Sequence, residues 1–319
     1  MDCLTARNMT NTSNGKVVVR SKLHHYVPQF LLSRWKRSCD ERIHVFRRRP
    51  TGELFDAWFL PREVGAQNHL WSLNSSEFSN RSAIEDELFS PLDTQAAIVL
   101  EKIERWSPTF NDKDREVWAV FVASLLVRCP ATINHLKSEV PRWLRESAAT
   151  LDQDLSDQKQ TPISKKLRDQ AKMLMPGENS AARLTEHIMT TMSEYVNDLA
   201  MLQTVNLVLD EANLTRFHNM TWFVRKITKS NRNLLIGDMP MTRIFSVADP
   251  RCVLAFPLSP TSAFVASRNN AMLNYFNDLN DRQFVEHLNR NATGLARRFV
   301  VGDCEKKFLE RWFLKESGR

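Results

Sequence analysis

Glycine is the sharpest shortage in this chain: 8 residues in 319, against a usual share of roughly 7%. Folds and sites built on repeated glycine turns are therefore excluded. Neither the G-x-G-x-x-G dinucleotide fingerprint nor the G-x-x-x-x-G-K phosphate loop is present. The G-x-S-x-G elbow of ordinary serine hydrolases is missing too. The cysteines (Cys3, Cys39, Cys129, Cys252, Cys304) are odd in number, scattered and without a C-x-x-C pair, so they read as reduced thiols. No H-E-x-x-H or other paired spacing appears among His44, His69, His135, His187, His218 and His287, so no zincin or zinc-finger site is indicated. The longest unbroken apolar-and-small run, Val117–Val127, is too short to span a bilayer. The opening MDCLTARNMTNTSNG lacks the apolar core of a secretory signal. These absences lead us to expect a soluble, cytoplasmic chain with no membrane partner.

What is present is an ordinary globular composition, 42% hydrophobic and 25% charged. The net charge of +7 is unevenly spread. Residues 1–50 carry 11 Lys+Arg against 3 Asp+Glu, and the remainder 33 against 34. That concentration suggests a polyanionic partner, RNA or DNA, with Arg34, Lys36, Arg37, Arg47, Arg48 and Arg49 as candidate nucleic-acid-binding residues. The alternative is a set of solvated residues flanking a strand.

Residues 1–20 are polar and rich in Asn, Thr and Ser, and read as a flexible leader. Ile43–Arg49 and Glu53–Phe59, separated by Pro50-Thr51-Gly52, read as a β-hairpin. Ser82-Ala83-Ile84-Glu85 is a capping-box pattern ahead of a helix running to about Arg105, kinked early by Pro91. A second helix, apolar almost all round at Val117–Val127, fits the centre of a bundle and ends near Arg128-Cys129-Pro130. Residues 150–166 are the most polar stretch and read as a surface insertion; helical spacing resumes from about Ala181 to Val208. Short strands are expected at Met220–Ile227, Asn233–Ile236, Val253–Leu258 and Ala263–Ala266, then a helix over 271–292 and a closing strand at Arg298–Val301. The expected fold is α+β, with a mainly helical centre, a β-hairpin near the N-terminus and a small β-rich C-terminal part. Residues 21–319 would form a single intertwined domain.

Ser21 to Leu32 (SKLHHYVPQFLL) packs two imidazoles, a phenol and an amide into a proline-restrained segment. It resembles the opening motif His-His-Tyr-x-Pro-x-Phe-x-Leu of a largely bacterial family catalogued as domain of unknown function 4238. His24, His25, Tyr26, Pro28, Phe30 and Leu32 fall on its positions. Ile84-Glu85, Arg128-Cys129-Pro130, Gly237-Asp238-Met239-Pro240 and Phe256-Pro257-Leu258-Ser259-Pro260 resemble its later landmarks, in order. The resemblance spans roughly residues 21–302. Gly237 and Met239 depart from it, standing where the family pattern has Ser and Asn. The resemblance implies a fold and a choice of residues, not an activity.

The chemistry follows from residue types. Adjacent histidines diverge in a strand or a helix, so only one of His24 and His25 is expected to enter a site, as a general base or a metal ligand. Asp238 follows an apolar strand and precedes a rigid turn. It reads either as a carboxylate partner for a histidine or metal, or as an Asx-turn cap. Arg128, closing a buried helix, reads as an ion-pair partner for Glu85 or Asp238, or as an anion clamp. Asn274, Asn289 and Asn291 read as caps. Taken together, His24, His25, Asp238 and Arg128 form a candidate catalytic set for a nuclease-like phosphodiester hydrolase acting on RNA or DNA, of the toxin or phage-defence kind, to which a divalent metal could contribute. The competing reading is a non-catalytic module that binds nucleic acid or protein through the basic hairpin.

Overall fold

The computed structural model describes residues 9–10, 18–19, 22–49, 51–75, 78–105, 107, 109–153 and 162–313. Met9–Thr10 pairs antiparallel with Val18–Val19; the rest of the 1–20 leader lies outside the described residues. The fold is α+β, and the chain divides into two compact units. One comprises Met1–Leu70, Glu85–Cys129 and Leu207–Arg319, the other Trp71–Ile84 and Pro130–Asn206.

The first unit is built on two four-stranded antiparallel sheets. One has the order Thr221–Lys226, Ser262–Ser267, Val253–Ser259, Thr242–Ile244. Its central hairpin is buried along nearly its whole length because both faces are covered, which explains its almost continuous apolar sequence. Strand alternation divides that burial. Leu254, Phe256, Phe264 and Ala266 pack with Trp118 and Phe121 of the helix Asp112–Val127. Val253, Ala255, Ala263 and Val265 pack with Phe276, Phe284 and Leu288 of the helices Asn270–Asp278 and Asp281–Leu295. The other sheet runs Leu54–Phe59, Ile43–Arg48, Phe299–Val301, Ile236–Gly237, so the expected N-terminal hairpin is completed by strands from the C-terminal part.

The opening motif forms a third ladder, in which Leu23–His25 pairs with Ala66–Asn68. It is held closely at Gly65, where Val27 donates its amide to the Gly65 carbonyl at 3.1 Å. Gly65 has φ +69°, and a Cβ there would lie 2.9 Å from the Cβ of Val27. Gly65→Ala is therefore expected to lose about 1–3 kcal/mol of stability from backbone strain alone, read as a lower urea midpoint. An unchanged midpoint would contradict this packing.

The second unit is mainly helical, with helices at Pro130–Gln153, Pro162–Leu174 and Ser180–Thr191, followed by the start of Ser193–Val208. The expected insertion at 150–166 is helical at both ends, and its middle, residues 154–161, lies outside the described residues. On the near side Asp152 caps another helix: its carboxylate accepts from the Ala181 and Ala182 amides at 2.9 and 2.8 Å, satisfying the start of the Ser180–Thr191 helix. The helical spacing read from Ala181 to Val208 breaks at Met192. Among the described residues, no single helix is long and apolar enough to cross a membrane.

Candidate functional site

Strand alternation separates the two motif histidines. His24 is fully buried, its ring edge-on to His69 at 6.4 Å. His25 is half-buried on the other side. Pro28 then starts the short helix Gln29–Leu32, which turns Gln29 back over His25. The Arg62 carbonyl accepts from His25 Nε2 at 3.2 Å. Since a carbonyl can only accept, the neutral ring carries its proton on Nε2 and keeps the Nδ1 lone pair. The side-chain amide of Gln29 approaches that lone pair at 3.4 Å.

His25, Gln29 and Phe30 form one side of a cleft of about 220 Å³, whose other side carries Glu85, Asp93 and Thr94. Glu85 gets there through a backbone feature the sequence pattern misses. In place of a plain α-helical start at the Ser82–Glu85 capping box, Ile84–Phe89 is a π-turn ahead of the helix Ser90–Arg105. Such turns widen a helix locally and recur at functional sites.

Arg128 caps the C-terminus of the helix Asp112–Val127 and is fully buried. Its partner is neither Glu85 nor Asp238 but Asp93, whose Oδ1 accepts from Nη1 at 2.9 Å. The guanidinium lies 5.5 Å from the rings of both Phe89 and Phe121. Its Nε and Nη2 are buried and have no hydrogen-bond partner among the described residues. The charge of this desolvated cation, offset by Asp93 on one side only, reaches His25. The proton affinities respond accordingly. Burial, then the Arg128 charge, lowers the His25 pKa below 6.5, with the Arg62 carbonyl opposing. Burial raises that of Asp93, against the pull of Arg128.

Asp238 does not line this cleft. It follows the strand Ile236–Gly237, where Gly237 is required because a Cβ would lie 2.8 Å from the Ala292 carbonyl oxygen. Its buried carboxylate accepts from the Arg297 and Arg298 amides at 2.8 and 3.1 Å. Burial pushes its pKa up to about 6. Tyr26 is raised to about 12, first by burial and then by the charge of Asp238. Arg298 completes the group, lying 5.9 Å from the Tyr26 ring centre and donating to Gln67 Oε1 at 2.8 Å. Asp238 thus ties the chain before the last strand, through amides remote in sequence and not the local amides of an Asx turn before Pro240. Of the four candidates, the structure brings only His25 and Arg128 together.

The basic residues are largely engaged. Arg34 pairs with Glu101 at 3.1 Å and with Glu104. Lys36 pairs with Glu41 at 3.0 Å, and Arg37 with Asp40 while lying over Trp58 at 3.8 Å. Arg47 and Arg48 point to opposite faces of their strand, over Phe59 at 4.3 Å and Phe313 at 5.0 Å. Arg49 pairs with Glu53 at 3.0 Å. The run of three arginines therefore divides between faces instead of forming one patch.

A second cavity, about 360 Å³, lies beside Arg232, Glu286, Asp303, Cys304 and Glu305. There burial and the flanking carboxylates push the Cys304 thiol up to about 12, so it stays protonated and is a poor nucleophile. Among the described residues, no group of three or more His, Cys, Asp or Glu side chains is placed to hold a metal ion.

Asp93 is the site residue that sequence reasoning missed. The only signal for it was the need of a buried arginine for a counter-ion, which does not say where in the chain that counter-ion lies. No curated protein and no solved structure matches the chain. The family model described as Protein of unknown function (DUF4238) matches residues 23–306, from the first motif strand into the start of the helix Lys306–Trp312. With most of its length covered by that match, the chain belongs to the DUF4238 family.

Proposed function

We propose that the chain is a phosphodiester hydrolase acting on nucleic acid in the cytoplasm, with the His25 cleft as its active site. The observation that supports this best is geometric: the Arg62 carbonyl holds His25 through Nε2, and Nδ1 meets only a long 3.4 Å contact from Gln29 in a cleft that Glu85 and Asp93 also line. A histidine whose proton affinity is lowered, as that of His25 is, is suited to act as a base at neutral pH. His25, neutral at pH 7, offers Nδ1 to the attacking hydroxyl, while the Arg62 carbonyl fixes the ring and its tautomer. Arg128, fully buried and near enough for its charge to act on His25, stabilises negative charge developing on the phosphate through its field. The net charge of +7 supplies long-range attraction for a polyanion. An activity of this kind suits a toxin or a phage-defence effector.

The test is incubation of the purified protein with end-labelled RNA and DNA at low salt, in EDTA and with Mg²⁺ or Mn²⁺. The expected result is fragmentation whose rate rises with pH and levels off, with the midpoint of the acid limb below 6.5. The sign follows from the base role, since protonating His25 removes the lone pair. Binding without cleavage under every condition would replace this reading with the non-catalytic module.

A further inference from the structure

We infer that the strand this cleft cuts is RNA, and that the attacking oxygen is the substrate's own 2′-hydroxyl, deprotonated by Nδ1 of His25. This rests on the hydrolase reading and narrows it. The first support is what His25 faces. Its two nitrogens meet a backbone carbonyl and an amide, not a hydroxyl or thiol of the protein. The Thr94 hydroxyl, across the cleft, gives its proton to the Ser90 carbonyl at 3.0 Å. Among the described residues, neither His25 nitrogen is hydrogen-bonded to a hydroxyl or thiol, that of Ser90 in the same cleft included, so the oxygen to be activated comes from outside the protein.

The second support is the weakness of the contact on Nδ1. At 3.4 Å, the Gln29 amide lies beyond the usual hydrogen-bond range, so a substrate hydroxyl can take its place and keep Gln29 as a neighbour. The third is the economy of the site. An external water needs its own positioning groups, whereas a 2′-hydroxyl is already attached beside the phosphorus, and such intramolecular attack reaches effective molarities of roughly 10⁵–10⁸ M. One oriented imidazole, in a cleft that also holds the Asp93 partner of the buried Arg128, suits that reaction. Phe30 adds a half-buried apolar wall against which a sugar or base can rest.

The step balances. Nδ1 takes the 2′-hydroxyl proton, the 2′-oxygen–phosphorus bond forms and the bond from phosphorus to the 5′-oxygen breaks. The departing 5′-oxygen takes a proton from water, and the hydroxide so formed recovers the proton from the imidazolium. The products are a 2′,3′-cyclic phosphate and a 5′-hydroxyl end, and His25 is again neutral.

The experiment uses the full chain with one single-stranded sequence in three forms: all ribose, ribose with a 2′-O-methyl group at the mapped cut, and all deoxyribose. Each is run in EDTA and in Mg²⁺. We expect cutting of the ribose strand in EDTA, cyclic-phosphate ends, loss of that cut in the methylated strand and none in DNA. His25→Gln, checked by its melting temperature, should slow the reaction by about 10²–10⁴. Cutting of DNA or at the methylated nucleotide, or 5′-phosphate ends, would overturn the RNA inference and leave the hydrolase reading standing. No cutting of any strand in either buffer would overturn both.

Discussion

Asp238→Ala is expected to lower folding stability by about 2–4 kcal/mol, because each amide left without its acceptor costs about 1–3 kcal/mol when buried, and less where water can reach it. Those amides belong to Arg297 and Arg298, immediately before the strand Phe299–Val301 that joins the N-terminal hairpin to Ile236–Gly237. The loss therefore falls on the sheet that ties the two ends of the first unit together, and a urea titration reads it. The pH dependence has a definite sign. Asp238 titrates near 6 in the folded protein against 3.8 as its ordinary value. The folded state thus holds the proton more tightly between those values, and stability falls as pH rises through that window. Relative to Asp238→Asn, wild type should lose stability from pH 4 to pH 6 and then run parallel to it. The opposite slope would contradict the burial of this carboxylate.

Arg128→Met is expected to cost about 3–5 kcal/mol, the usual penalty for breaking a buried pair from one side. It strands Asp93 without the cation that opposes the effect of its burial. Adding Asp93→Leu should recover much of that loss, since the second substitution removes the stranded carboxylate. Additive losses in the double mutant would show that the two side chains do not act as a pair. Removing Arg128 should also raise the proton affinity of His25, because that cation is one of the two influences lowering it. The acid limb of the rate profile would then move up toward 6.5.

How much of this was legible depends on the range over which each signal acts. The hairpin at Ile43–Phe59 and the strands Val253–Ser259 and Ser262–Ser267 were readable because alternation and turn residues are local. The divergence of His24 and His25 was readable for the same reason. The π-turn at Ile84–Phe89 was not, since a capping-box pattern does not reveal an extra residue in the turn. Nor did proximity in the charge pattern reveal partners. Arg34 reaches Glu101 and Glu104, and Arg128 reaches Asp93, across sequence gaps that only the tertiary fold closes. The same fold turns an apparent basic cluster into ion pairs and ring contacts. Asp238 reads from sequence as fit for chemistry or for a local turn, and its bonds to the remote Arg297 and Arg298 amides are a third arrangement that no local signal carries.

The most direct test of the account is a comparison of wild type, His25→Ala and His24→Ala on one end-labelled RNA strand, with the melting temperature of each recorded. The account predicts that His25→Ala melts near wild type but cuts 10²–10⁴ times more slowly. His24→Ala, which opens a space in the core beside His69, should lose stability first. Cleavage by His25→Ala at the wild-type rate would contradict the account.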